Sequence, residues 1–129
     1  MILIDTSVWV DFLSPSPGPA GAELRRMIEE GEPFALTGVV VAEVLQGLTR
    51  DAASIEQYLQ QWDMIEPRGY ETYREAAAIY RTARAHGVAL TTIDTLIAAI
   101  ALEHNCSLFT LDQDFSRISR LTHLALYRF

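Results

Sequence analysis

The sequence contains no lysine, a single cysteine and no uninterrupted hydrophobic run long enough to cross a membrane. One cysteine, Cys106, cannot form an internal disulfide, which favours a reducing compartment. The first residues also lack the basic flank and the cleavage site of a secretory signal peptide. We therefore expect a cytoplasmic protein with no membrane association.

The charge balance is acidic, because ten arginines stand against seventeen acidic residues and give a formal net charge of −7. This balance excludes nucleic-acid binding that depends on overall charge alone. A polyanionic substrate stays compatible with the sequence if bound cations neutralise some of the carboxylates. The three histidines, at positions 86, 104 and 123, are far apart and have no metal-binding spacing.

The 129 residues, half of them hydrophobic, suffice for one domain over residues 1–129. Strands are predicted at residues 2–4, 33–36, 64–65, 107–110 and 124–126. Helices are predicted at residues 8–13, 20–30, 39–48, 54–62, 70–86 and 93–104. Because strands and helices alternate, the order predicts an α/β fold with a parallel sheet.

Two acidic residues interrupt apolar segments in the first half of the chain. Asp5 directly follows the strand at residues 2–4, where it lies at a ligand-binding edge or caps the next helix. Glu43 lies within the valine-rich residues 39–45 of a predicted helix. A buried carboxylate there needs an arginine such as Arg50 or Arg81, a proton or a metal ion.

Two further acids occupy equivalent positions in the second half. Asp94 lies in the first turn of its helix, where negative charge is favoured, and it leads the apolar face of that helix. Asp112 follows the strand at residues 107–110 and could instead serve as a turn residue or helix cap. Asp114, two residues later, is expected to be solvated or to cap a helix.

Together, these four acids come from strand ends and helix starts at one predicted edge of the sheet. Converging carboxylates repel one another unless a cation lies between them. An all-oxygen ligand set suits Mg²⁺ or Mn²⁺, which can activate a water molecule for attack at phosphorus. The residues therefore predict a metal-dependent hydrolase that acts on phosphodiesters.

At these residues the sequence resembles the PIN-domain nucleases, and in particular the VapC-type ribonuclease toxins. Four segments carry the resemblance, at residues 2–9, 41–48, 92–99 and 110–115. It implies a three-layer α/β/α sandwich with a central, mostly parallel sheet, and one or two Mg²⁺ or Mn²⁺ ions that support RNA cleavage. The positions that match the family's acidic quartet are Asp5, Glu43, Asp94 and Asp112. The positions that match possible auxiliary residues are Thr6, Thr110 and Asp114.

The resemblance also implies partners. It predicts a homodimer and a cognate VapB-type antitoxin, with DNA contacted only through that antitoxin. Since the chain has no lysine, contacts with the RNA substrate are left to arginines. The candidates are Arg25, Arg26, Arg117 and Arg120.

Two other functions are compatible with parts of this pattern. The chain could be a weakly catalytic or non-catalytic PIN module that acts with an antitoxin-like partner in a DNA-binding regulatory complex. A phosphatase of the haloacid dehalogenase type also begins with an aspartate after its first strand. That chemistry needs a second aspartate two residues later, where this sequence has Ser7.

Overall fold

The computed structural model describes residues 1–129 and contains four strands and seven helices. The strands are β1 (Ile2–Ile4), β2 (Ala35–Leu36), β3 (Asp63–Met64) and β4 (Ser107–Phe109). The helices are α1 (Thr6–Leu13), α2 (Pro19–Glu29), α3 (Gly38–Gln46), α4 (Ala52–Leu59), α5 (Tyr70–Ala85), α6 (Thr92–Glu103) and α7 (Gln113–Leu121). No helix combines the length and the apolar character that a membrane crossing requires.

The four strands form one parallel sheet in the order β3-β2-β1-β4. The chain therefore builds the sheet outward from β1 to β3 and then returns to the other side of β1 to add β4. Ile4 pairs with Phe109, so β1 and β4 end side by side. Ligands of open α/β sheets bind at such a reversal of strand order, beyond the carboxyl ends of the strands.

Helices cover both faces of this sheet, which gives the predicted three-layer α/β/α architecture. On one side, α1 packs against α2 and α3, while α5, α6 and α7 form a second group. Parallel strands are joined by right-handed crossovers, so the reversal between β3 and β4 sends the later helices to the opposite face. The fold class predicted from the alternation of elements is confirmed.

The core is a single cluster of buried hydrophobic residues that includes residues of β1 and β4. Leu3 and Ile4 of β1 and Leu108 and Phe109 of β4 are completely buried. Strands enclosed on both faces need apolar side chains at successive positions rather than in alternation. For this reason these strands appear in the sequence as short continuous apolar runs. It also explains why Asp5, directly after β1, is buried.

The end of the chain differs from the prediction. The strand expected at residues 124–126 is wrong, because only one isolated bridge forms there, between Leu108 and Leu126. Helix α7 was not predicted, although its buried Phe115 and Ile118 have helical spacing. The sequence left open that Asp112 caps a helix, and in the structure Asp112 caps α7.

Gly87 ends the long helix α5 in a conformation that other residues adopt at a cost, with φ of +76°. Replacing Gly87 with Ala is expected to lower the free energy of unfolding by about 1–2 kcal/mol, because a Cβ is disfavoured in the left-handed region. The matched control is Gly47→Ala, at the end of α3, where φ is −83°. This control should leave stability unchanged or raise it by up to about 1 kcal/mol. Urea denaturation of both variants measures the difference, and equal effects would contradict the explanation.

Candidate metal centre

The buried acid of the site is Asp5, which is 4% exposed and directly follows β1. Its backbone N–H extends the pairing with β4 by donating to the carbonyl of Phe109 at 2.9 Å. Asp5 occupies the N-cap position of α1, but its side chain makes no capping hydrogen bond. The capping role that the sequence left open for this carboxylate is therefore wrong.

The carboxylate of Asp5 instead accepts two hydrogen bonds on one oxygen. The hydroxyl of Ser7 donates to Oδ2 at 2.8 Å, and the hydroxyl of Thr110 donates to the same atom at 2.7 Å. Thr110 follows β4, so this bond joins the ends of the neighbouring strands β1 and β4. No arginine or histidine forms an ion pair with Asp5.

A group of three carboxylates lies at the same edge of the sheet. Oxygens of Asp94, Asp112 and Asp114 lie within 4.8 Å of one another, and all three side chains are partly buried. Their spacing allows one metal ion to contact all three, and hard carboxylate oxygens are the ligands that Mg²⁺ and Mn²⁺ prefer. The donor set therefore fits a divalent cation.

Helix starts hold these three acids in place. Asp112 is the N-cap of α7, and its Oδ1 accepts the backbone N–H of Asp114 at 2.9 Å. Asp94 lies in the first turn of α6, where its N–H donates to the hydroxyl of the N-cap, Thr91, at 3.1 Å. Asp112 therefore caps α7, as the sequence left open, and Asp94 lies in the first turn of α6 as predicted, while each acid still has a carboxylate oxygen near the group.

The electrostatics of Asp94 reflect this crowding. Burial raises the pKa of Asp94 above its ordinary value, and the negative charges of Asp112 and Asp114 raise the pKa further. Hydrogen bonds with Thr91 act in the opposite direction. A carboxylate whose charged form is disfavoured in this way gains stability from a nearby cation.

One cation from the chain already touches the group. Arg117, one turn along α7, donates to Oδ1 of Asp114 at 2.6 Å, and its own side chain is half exposed. Among the other arginines proposed for RNA contacts, Arg26 is occupied by ion pairs with Glu23, Glu30 and Glu32. Arg25 lies over the ring of Phe12 at 5.4 Å, and Arg120 lines a cleft that contains none of the predicted acids. Arg117 is therefore the candidate arginine that lies beside the acids.

Glu43 lies outside the group of three carboxylates. It is partly buried on α3, and its Oε1 accepts the hydroxyl hydrogen of Thr6 at 2.6 Å. Neither Arg50 nor Arg81 pairs with it, so the arginine partner that the sequence left open is wrong. Thr6 begins α1 directly after Asp5, and this bond fixes the start of α1 to α3.

Of the predicted site residues, the structure thus groups Asp94, Asp112 and Asp114 by distance. Asp5 is connected to them through the hydroxyl of Thr110, which accepts the N–H of Asp112 at 3.0 Å. Glu43 is connected to the start of α1 only through Thr6. Ser7 was not predicted as a site residue, because a serine after a strand has an ordinary explanation as part of a helix start.

A broad cleft lies elsewhere on the molecule. It has a volume of about 690 Å³ and is lined by residues of α5, α6 and α7 together with the segment that follows α7. None of the predicted acidic residues lines it. The acid group therefore lies at the open edge of the sheet, outside this cleft.

Acids at the carboxyl edge of a parallel sheet, arranged so that they can share a divalent cation, define a class of α/β metal-binding proteins. A family model described as "PIN domain" matches residues 2–121. The chain therefore belongs to the PIN-domain family.

Known proteins support this assignment at the level of sequence and of fold. Over 128 residues the chain is 35% identical to Ribonuclease VapC11 of Mycobacterium tuberculosis, covering 96% of each protein. The crystal structure of FitAcB from Neisseria gonorrhoeae has a TM-score of 0.71 and 25% identity, over 99% of this chain and 97% of that one. VapBC2 from Rickettsia felis, solved bound to a promoter DNA fragment, has a TM-score of 0.78 and 19% identity, over 100% and 99%.

The raised pKa of Asp94 leads to a prediction about the metal-free protein. Removing the charge with Asp94→Asn should raise the free energy of unfolding at neutral pH, because the folded state disfavours the ionised carboxylate. The gain should shrink as the pH falls through the raised pKa, since Asp94 of the wild type then becomes protonated in the folded state.

Urea denaturation in the presence of a chelator, repeated from neutral to mildly acidic pH, measures this effect. The control is Asp63→Asn, which removes an exposed acid of β3 outside the acid group. A stability gain for Asp94→Asn that stays constant across this range would contradict the explanation.

Proposed function

We propose that the protein is a Mg²⁺- or Mn²⁺-dependent endoribonuclease and the toxin of a VapBC-type toxin–antitoxin system. The observation that carries the proposal is the group formed by Asp94, Asp112 and Asp114 beside the buried Asp5. Relatives that are 35% identical over almost the whole chain and named ribonucleases support this choice of reaction and substrate.

In this proposal the acids have related tasks. Asp94 and Asp112 hold the metal ion, with Asp5 contributing an oxygen from the neighbouring strand end. Glu43, oriented by Thr6, completes the acidic quartet, and Thr110 and Asp114 are auxiliary residues. When bound, the metal ion supplies a water molecule of lowered pKa and stabilises the charge that develops on the phosphate.

The bound cation also reduces the repulsion between this acidic protein and a polyanionic substrate. An edge with several carboxylates repels a phosphate backbone, and a divalent ion removes part of that repulsion where cleavage takes place. Arg117 lies close enough to add a second positive group beside Asp114, and arginine can hold a phosphate with two parallel hydrogen bonds. RNA binding would then depend on the metal site rather than on overall protein charge.

We also propose a VapB-type antitoxin as the partner, a homodimer as the assembly and the cytoplasm as the location. The FitAB and VapBC complexes among the solved structures support an antitoxin partner. Three of those complexes, one of FitAB and two of VapBC, were solved bound to DNA. We propose that this chain contacts DNA only through the antitoxin.

Loss of one metal ligand tests the proposed activity. Asp94→Asn keeps the size of the side chain and is expected to lower the rate of RNA cleavage at least about 100-fold, since even residues that only orient metal ligands give 10- to 100-fold effects. The rate is measured on labelled RNA with Mn²⁺ or Mg²⁺, and a chelator should abolish cleavage by the wild type.

Asp63→Asn serves as the matched control, because it makes the same chemical change at an exposed acid outside the acid group. Equal cleavage by wild type and Asp94→Asn would overturn the proposal. A wild type that binds metal, leaves RNA intact and binds promoter DNA only with its partner would favour the regulatory binding module instead.

A further inference from the structure

Two hydroxyl groups connect the loop after β4 to a single oxygen of Asp5. The backbone N–H of Leu111 donates to the hydroxyl of Ser7 at 2.9 Å, and that hydroxyl donates to Asp5 Oδ2. In parallel, the N–H of Asp112 donates to the hydroxyl of Thr110, which donates to the same Oδ2. Each hydroxyl thus carries a hydrogen bond from a backbone amide to the buried carboxylate.

Neither hydroxyl has a hydrogen left to donate to another acceptor. A hydroxyl has one hydrogen to donate, and both hydroxyls use theirs on Asp5. The 3.4 Å contact between the oxygens of Ser7 and Thr110 is therefore a close approach without a hydrogen of its own. With two donors in place, Oδ2 is satisfied, whereas Oδ1 receives no hydrogen bond from the chain.

A buried carboxylate with one satisfied and one free oxygen is an unusual arrangement in the absence of a positive partner. Burying an ionised group without compensation costs several kcal/mol, and no basic side chain pairs with Asp5. The two hydroxyls supply part of the compensation. They also fix the rotation of the carboxylate, which determines which oxygen is offered to a ligand.

The same bonds set the distance between two acids. Asp112 is held to Asp5 through the Thr110 hydroxyl, and its own Oδ1 is used to cap α7. The start of α1 and the segment that leads into α7 are therefore joined through the Ser7 and Thr110 hydroxyls, independently of any ion. A metal ion that needs oxygens from both segments would find them already oriented.

We propose that Ser7, together with Thr110, is a positioning residue that presents Oδ1 of Asp5 to the divalent cation and fixes Asp112 beside it. This inference rests on the proposed function, because it assigns a role toward the metal ion of that site. Removing the Ser7 hydroxyl takes away one of the two donors to Oδ2 and leaves the N–H of Leu111 without its acceptor, so the carboxylate is held less firmly and the loop loses one connection.

Metal affinity tests this role without relying on cleavage. Ser7→Ala is expected to weaken Mn²⁺ binding, measured by titration calorimetry, about 10- to 100-fold, the range found for residues that orient metal ligands. The control is Ser14→Ala, at the other end of α1, where the hydroxyl only donates to the carbonyl of Asp11. This control should bind Mn²⁺ as the wild type does.

A second pair of variants keeps the test valid if Ser7→Ala fails to fold. Thr110→Ser retains the hydroxyl and should keep wild-type affinity, whereas Thr110→Val removes the hydroxyl with little change in size and should lose affinity. Circular dichroism of the metal-free proteins checks that each variant is folded.

The outcomes separate this inference from the proposed function. Unchanged Mn²⁺ affinity in folded Ser7→Ala, or equal affinities of Thr110→Ser and Thr110→Val, would overturn the positioning role even if the wild type cleaves RNA. If the wild type cleaves no RNA but these variants lose Mn²⁺ affinity as expected, the proposed activity fails and the positioning role stands.

Discussion

The pairing of β1 with β4 is the contact on which the site depends. Ile4 lies opposite Phe109, and the next residue, Asp5, still donates its N–H to the Phe109 carbonyl. Because the two strands are parallel and in this register, the chain leaves both at the same level. Asp5 and Thr110 therefore meet as first residues beyond the sheet, and a shift of one residue would turn Asp5 away from its partners.

The cost of this arrangement is electrostatic. The hydrophobic strands that hold the register also bury the acid that follows them, and helix starts bring three more carboxylates to the same edge. The chain compensates in part, through the hydroxyls of Ser7 and Thr110 and through Arg117. The pKa of Asp94 is still raised, so the negative charge there is not fully compensated. A divalent cation beside Asp94 would compensate it.

Much of this could be predicted from the sequence, for identifiable reasons. Alternating strands and helices predicted the parallel sheet. Asp5 and Asp112 were identified because they follow strands, and Asp94 because it leads the apolar face of its helix. The distances could not be predicted. Glu43 was expected to need a cation or a proton. In the structure its carboxylate accepts a hydrogen bond from the hydroxyl of Thr6, which joins the start of α1 to α3.

The residues that were missed depend on long-range contacts. Ser7 has its role because Leu111 and Asp5 lie on either side of its hydroxyl, and the partners are 104 and 2 positions away in sequence. Helix α7 was not predicted, although Asp112 was considered as a possible helix cap as well as a metal ligand or turn residue. In the structure it caps the helix while its carboxylate also lies in the acid group.

The most direct test of the account is a crystal structure of the protein grown with Mn²⁺, with the ion located by its anomalous scattering. We predict one ion or a close pair at the carboxyl edge of β1 and β4, contacted by Asp94, Asp112 and Oδ1 of Asp5. Ser7 and Thr110 should still donate to Oδ2. Manganese bound away from these acids, or held by Oδ2 with both hydroxyls displaced, would contradict it.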